Sequence, residues 1–190
     1  MKQRQKNYFL ICSTCKSCCC QNARPPITKK RRKLIEEYCL AQDLRIDKFF
    51  ETTEYVFPQE TDDGFCIFFD EKTRKCQIYV VKPETCVAGP ITFDINLKTG
   101  KIKFYLKFER ICSLASSLKK DRVALKNHLN SAKRELLTLV GELDPEALSA
   151  ILQIDEPETH KIGEASLNKE VLEGLQKIRA RRKGAIHGNK

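Results

Sequence analysis

The sequence predicts an α+β protein, with a metal-organised cysteine lobe of small β-hairpins and helices and a C-terminal helical segment. Three observations carry that reading. Thiols recur at short, regular spacings in the first half, hydrophobic residues alternate with period two between residues 91 and 108, and an apolar stripe of helical period runs from Leu118 to Leu139. At 190 residues, 41% of them hydrophobic, the chain is long enough to bury a core. The implied division is a cysteine-cluster domain over 1–116, a helical segment over 117–180 and a basic, disordered tail over 181–190.

The elements follow in order. Residues 9–27 lack helical periodicity and place five cysteines ahead of Arg24-Pro25-Pro26, which predicts loop and turn held by something other than a core. Thr28 reads as the N-cap of a helix to about Asp43, with Leu34, Ile35, Tyr38 and Cys39 inward and the basic run outward. The aromatic stretch from Ile46 to Phe57, closed by Pro58, fits either helix or strand. Phe65–Phe69 and Lys75–Val81 read as a hairpin. A turn symmetric about Glu71 would set Cys66 opposite Cys76, with Cβ atoms roughly 4.5–5.5 Å apart. A second hairpin is clearer, because Ile91, Phe93, Ile95 and Leu97 alternate, Lys98-Thr99-Gly100 turns, and Ile102, Phe104, Leu106 and Phe108 alternate back. After Cys112, Leu118, Leu125, Leu129, Ala132, Leu136 and Leu139 form one helical stripe ending near Gly141. Asp144-Pro145 opens a short helix through Leu152. Ser166 caps a last helix with Leu167, Val171, Leu172, Leu175 and Ile178 inward.

The formal charge of +10 sits at the ends, since residues 1–33 carry ten Lys or Arg and residues 177–190 carry six, neither with an acid. Blocks such as Lys29–Lys33 and Arg179–Lys183 offer weak, salt-sensitive phosphate binding. No aromatic interleaving or recognition pattern accompanies them, so a solvated face is the simpler reading. The basic N-terminus has a second consequence, because neighbouring cations favour the thiolate form of the adjacent cysteines. No apolar run reaches spanning length and no signal-peptide core is present, which predicts a cytoplasmic protein without membrane contact. Disulfides are rare in that compartment, so ten cysteines point to metal ligation or redox chemistry.

Cys12-Ser-Thr-Cys15-Lys-Ser-Cys18-Cys19-Cys20 is a compact C-x2-C-x2-C-C run with one extra thiol. Two residues between thiolates let both reach one soft ion without straining the backbone. Adjacent thiols such as Cys18 and Cys19 tend to point apart, so either they serve different ligands or one ligates while its neighbour packs. The second group is Cys66, Cys76-Gln-Ile-Tyr79, Lys82-Pro-Glu-Thr-Cys86 and Cys112. This order of residues resembles the YkgJ-like cysteine-cluster proteins, the CxxCxxCC family of zinc- or iron-chelating domains, over about residues 9–114. The module also occurs in flagellin lysine N-methylases. The family's eight-cysteine pattern falls on Cys12, Cys15, Cys18, Cys19, Cys66, Cys76, Cys86 and Cys112. Its R-P-x-x-C-R element departs here, with Lys82 and Val87 in place of the two arginines, which weakens any role needing a bidentate guanidinium. Cys20 and Cys39 fall outside the pattern, and Cys39 reads as core.

Eight soft sulfurs suit an iron–sulfur cluster or zinc and disfavour magnesium or calcium. His128, His160 and His187 read as surface residues, and Asp62-Asp63 and Asp70-Glu71 as turn residues. Walker, dinucleotide-binding and radical C-x3-C-x2-C signatures are absent. The implied function is a metal-binding protein acting in redox chemistry, metal handling or protein modification. Two alternatives stand beside it: a protein-lysine N-methyltransferase-like enzyme, implied by resemblance alone, and a nucleic-acid-binding zinc module using the basic ends. The C-terminal helices offer a surface for a protein partner.

Overall fold

The computed structural model describes residues 8–15, 19–156 and 158–187. It is an α+β fold in which two hydrophobic clusters form on either side of the cysteines.

The smaller cluster lies under α2 (Lys29–Ala41), the helix that follows α1 (Tyr8–Ser13) in the chain; Thr28 is the N-cap of α2 and its Oγ1 accepts from the Arg31 N–H at 3.1 Å. Ile35 and Cys39 on its inner face are fully buried, as the helical spacing requires, and Leu34 is half-exposed. They pack on Phe50, Phe68, Ile78 and Val81. Phe50 lies in strand β1 (Phe50–Thr52), which pairs antiparallel with β2 (Val56–Pro58), so the ambiguous aromatic stretch is a hairpin. Helix α1 itself (Tyr8–Ser13) corrects the expectation of loop for residues 9–27. A single turn needs little periodicity of its own when it rests on another helix, here α4 (Ser113–Lys119).

The next hairpin also differs from its predicted register. Strands β3 (Phe69–Asp70) and β4 (Lys75–Cys76) set Cys76 opposite Phe69, leaving Cys66 out of the pairing. Asp70 causes the shift, because Oδ1 accepts from the N–H groups of Lys72 and Thr73 and Oδ2 from the Thr73 hydroxyl at 2.8 Å. That Asx turn closes a four-residue loop instead of a turn about Glu71.

The larger cluster lies between a three-stranded antiparallel sheet and the later helices. Strands β5 (Ile91–Asn96) and β6 (Lys101–Lys107) pair as predicted, Ile95 with Ile102, Phe93 with Phe104 and Ile91 with Leu106. Strand β7 (Thr159–Ser166) adds to the other edge of β6, so the segment after residue 117 is not wholly helical. Its hydropathy alternates weakly, and pairing to β6 supplies what the sequence pattern does not show. The predicted single stripe after Cys112 is two helices, α4 (Ser113–Lys119) and α5 (Arg122–Glu142). Asp121 separates them by accepting the Ala124 N–H, as an N-cap does. Helix α6 (Pro145–Ile151) has its expected Asp144 cap. Helix α7 (Lys169–His187) starts at Asn168, whose Oδ1 accepts the Glu170 N–H, since Ser166 is spent in β7. It continues to His187, through most of the stretch expected as a tail; residues 188–190 lie outside the described residues.

Ala88, Ile91, Leu106 and Ala115 share one core with Leu136, Leu148 and Leu175. The second half of the cysteine region is thus built into the helical half, across the expected boundary at 116. Among the described residues no helix is long and apolar enough to cross a membrane.

Candidate metal centre

Each described cysteine of the pattern is delivered by its own local device. Cys12 lies in the last turn of α1, and Cys15 follows it, with Sγ 3.4 Å from Ser113 Oγ and its carbonyl accepting Arg74 Nη2 at 2.8 Å. Cys19 and Cys20 lead into a short antiparallel pairing with residues 64–66. The Cys66 N–H donates to the Cys20 carbonyl at 2.8 Å, the Asn22 N–H to Gly64 at 2.7 Å, and Gln21 bridges Phe65. Cys76 ends β4, Cys86 lies in α3 (Glu84–Ala88), and Cys112 is the N-cap residue of α4. Cys18 lies outside the described residues.

The thiols act electrostatically on one another in two sets. Cys12 feels Cys19, Cys112 and Cys15, and Cys112 feels Cys19 and Cys15. Cys86 feels Cys66, Cys76 and Cys19. Cys19 belongs to both sets. Among the described residues no three Cys, His, Asp or Glu side chains come close enough to hold a metal ion.

Burial is the main cause that raises most of these thiols: Cys12 to about 11, and Cys76, Cys86 and Cys112 in the same direction. Cys19 is the exception, lowered to about 6. A hydrogen bond from Cys20 is the main cause, supported by the positive charges of Lys107 and Lys82. Lys82 also draws Cys12, Cys76 and Cys86 downward. Among the described residues, the cations that lower these thiols are Lys82 and Lys107. Lys82 holds its ammonium 4.3 Å over the Tyr79 ring, within the C-x-I-Y element. Sequence reasoning noted Lys82 only as a departure from arginine; Lys107 gave no signal because only the fold brings β6 to Cys19.

Arg31 is likewise not on an outer face. It reaches Glu84 and Glu135 and donates to the Lys82 carbonyl. His128, expected at the surface, is half-buried against the carbonyls of Ala88 and Gly89, 3.1 and 3.0 Å from Nε2, which must carry the proton because carbonyls only accept. His160 stacks on Phe108. The side chain of His187 lies outside the described residues. Cys39 is buried in the smaller cluster, as expected of a core thiol.

The donor chemistry fits a thiophilic metal. Soft sulfurs dominate, two lysine charges offset thiolate charge, and metal binding would release the protons that burial now holds on most of them. Zinc bound here would supply a closed structural link, and iron with sulfide would supply one-electron redox chemistry.

A relative from Methanocaldococcus jannaschii, itself named as uncharacterized, is 33% identical over 107 residues. That match spans 53% of this chain and 55% of the relative, so the chain spans about half the length of the curated protein it matches. No solved structure matches the chain. Residues 11–113, from just before Cys12 to just after Cys112, match the CxxCxxCC family, described as "Putative zinc- or iron-chelating domain". The boundaries of that match enclose all eight pattern cysteines and the lysine set among them, and the chain belongs to the CxxCxxCC family of zinc- or iron-chelating domains.

Proposed function

We propose that the chain holds zinc or an iron–sulfur cluster through Cys12, Cys15, Cys18, Cys19, Cys66, Cys76, Cys86 and Cys112, in two thiolate groups. One group takes Cys12, Cys15 and Cys112, the other Cys66, Cys76 and Cys86, and Cys18 and Cys19 complete one each. The observation that supports this is the contact of Cys15 Sγ with Ser113 Oγ at 3.4 Å, which sets the first cysteines beside Cys112, together with the packing of Cys66 and Cys76 on one hydrophobic cluster. Four thiolates per group match the coordination number of zinc and of a four-cysteine cluster. Metal closure then draws the thiols inward, and Lys82 and Lys107 offset the charge that collects. In this reading the protein is a metal-bearing module for redox chemistry, metal handling or protein modification, in the cytoplasm.

The test is metal and sulfide analysis with a visible spectrum, on protein purified without oxygen and without a metal-binding tag. Iron with stoichiometric sulfide and a broad brown band supports a cluster, and zinc in a colourless solution supports a structural site. Protein that binds neither metal after anaerobic reconstitution overturns the reading. No observation favours the methyltransferase-like alternative. The nucleic-acid alternative loses a cation from its first basic block, because Arg31 is committed internally.

A further inference from the structure

Helix α3 is a five-residue helix that carries one cysteine of the pattern, and it has no side-chain hydrogen bond at its Pro83 cap. A helix of one turn does not hold itself, since nucleation is unfavourable and only propagation compensates. Its position is therefore set from outside.

Glu84, its first residue, is 1% exposed, and its carboxylate points away from solvent into α2. The Thr28 hydroxyl donates to Oε1 at 2.6 Å, and Arg31 Nε lies 3.7 Å from the same oxygen. Arg31 spreads its guanidinium over three elements. Nη1 donates to the Lys82 carbonyl at 3.1 Å, just ahead of α3, and Nη2 reaches Glu135 of α5 at 2.5 Å. Glu84 Oε2 is buried with no hydrogen-bond partner, so the carboxylate depends on the contacts at its other oxygen. An apolar residue would fill this space at lower desolvation cost. A carboxylate gripped from two directions fixes orientation as well as depth, and two residues beyond it stands Cys86.

Resting on the reading of Cys86 as a ligand, we infer that Thr28, Arg31 and Glu84 are positioning residues of the metal centre. They fix the single turn of α3 and so the place of the Cys86 thiol relative to Cys19, Cys66 and Cys76. Thr28 serves twice, because the same Oγ1 that caps α2 donates to Glu84. The metal lobe is thereby tied to α5 through Arg31 and Glu135. Groups that orient a ligand from behind commonly change metal affinity by about 10–100-fold when lost.

The experiment titrates the full chain with Co²⁺ without oxygen, reading the thiolate-to-cobalt charge-transfer absorption and the affinity together. Cys86→Ser should lose one thiolate's share of the band. Glu84→Gln keeps the size of the side chain, and it should weaken Co²⁺ binding by about 10–100-fold with a shifted or diminished band. Arg31→Lys, which keeps charge but not the fork, should fall between Glu84→Gln and the native protein. A role confined to packing would lower the melting temperature of the metal-free protein while leaving band and affinity at native values. Folded Glu84→Gln with native band and affinity, beside a Cys86→Ser variant that loses its share, overturns this inference alone. A Cys86→Ser variant indistinguishable from native overturns the ligand reading and this inference with it. Should Glu84→Gln not fold, Arg31→Lys and Glu135→Gln decide the matter, and native binding in both overturns the inference.

Discussion

Gly64 occupies a backbone conformation, φ +78°, that side chains rarely adopt, and a Cβ there would sit 2.3 Å from Asn22 Oδ1. Both faults fall at the pairing that sets Cys20 beside Cys66. Gly64→Ala should therefore cost about 1–3 kcal/mol in urea denaturation and loosen metal retention as well. At His128, burial is the main cause holding the imidazole below its ordinary range, against the carbonyls of Ala88 and Gly89 that favour the proton. A folded-state value lower than the unfolded one means that the unfolded chain binds the proton more readily. The stability that His128 contributes is complete above its unfolded value, near 6.5, and is lost as pH falls below it through the folded value. Melting temperature against pH should show that acid-side fall in metal-free protein, and His128→Gln should flatten it. The thiol set illustrates the limit of reading residues in one dimension. The order and spacing of the cysteines stand in the chain, but the charges beside them do not. Lys107 and Cys19 are neighbours only because β6 folds back.

At the scale of elements, caps and close approaches decide where helices begin and how near they lie. Asp144 Oδ1 accepts the Ala147 N–H at 2.8 Å, so Asp144→Ala should cost about 1 kcal/mol, read from chemical denaturation. Gly174 of α7 lets Pro145 of α6 approach, since a Cβ would stand 2.7 Å from its Cγ. Gly174→Ala should force the two helices apart and lower the melting temperature, despite alanine's better helix propensity. The elements that could be read from sequence are those whose instructions are local. The β5–β6 hairpin has strict alternation, an Asx turn at Asn96 and glycine at the corner. Helix α2 has Thr28 and a regular inward face. Where the instruction comes from elsewhere, reading failed. Strand β7 is specified by the free edge of β6, α1 by α4, and the inward turn of Arg31 by two carboxylates far along the chain.

The whole molecule has two unequal halves of stability. The main core joins Ala88 through Ala115 to the helices, whereas the described residues of 9–27 supply Pro26 and Ile27 to the buried apolar set. On the proposed ligand set, metal binding would supply a large part of what orders the first cysteines. Chelation should speed protease cleavage between residues 9 and 27, mapped by mass spectrometry, while fragments containing residues 84–187 persist. Equal cleavage of loaded and stripped protein would remove the structural role of the metal. The contact between Cys15 and Ser113, neighbours in space across 98 positions of sequence, gives that role a topological meaning. A metal shared by Cys15 and Cys112 closes a circuit of about a hundred residues, enclosing both small hairpins and the first two strands of the sheet. Chain statistics assign a covalent link of that span about 4.7 kcal/mol of lost unfolded-state entropy. A thiolate–metal bridge would then do for this fold what a long-range disulfide does for a secreted one, but as a tie that chelation or exchange could undo.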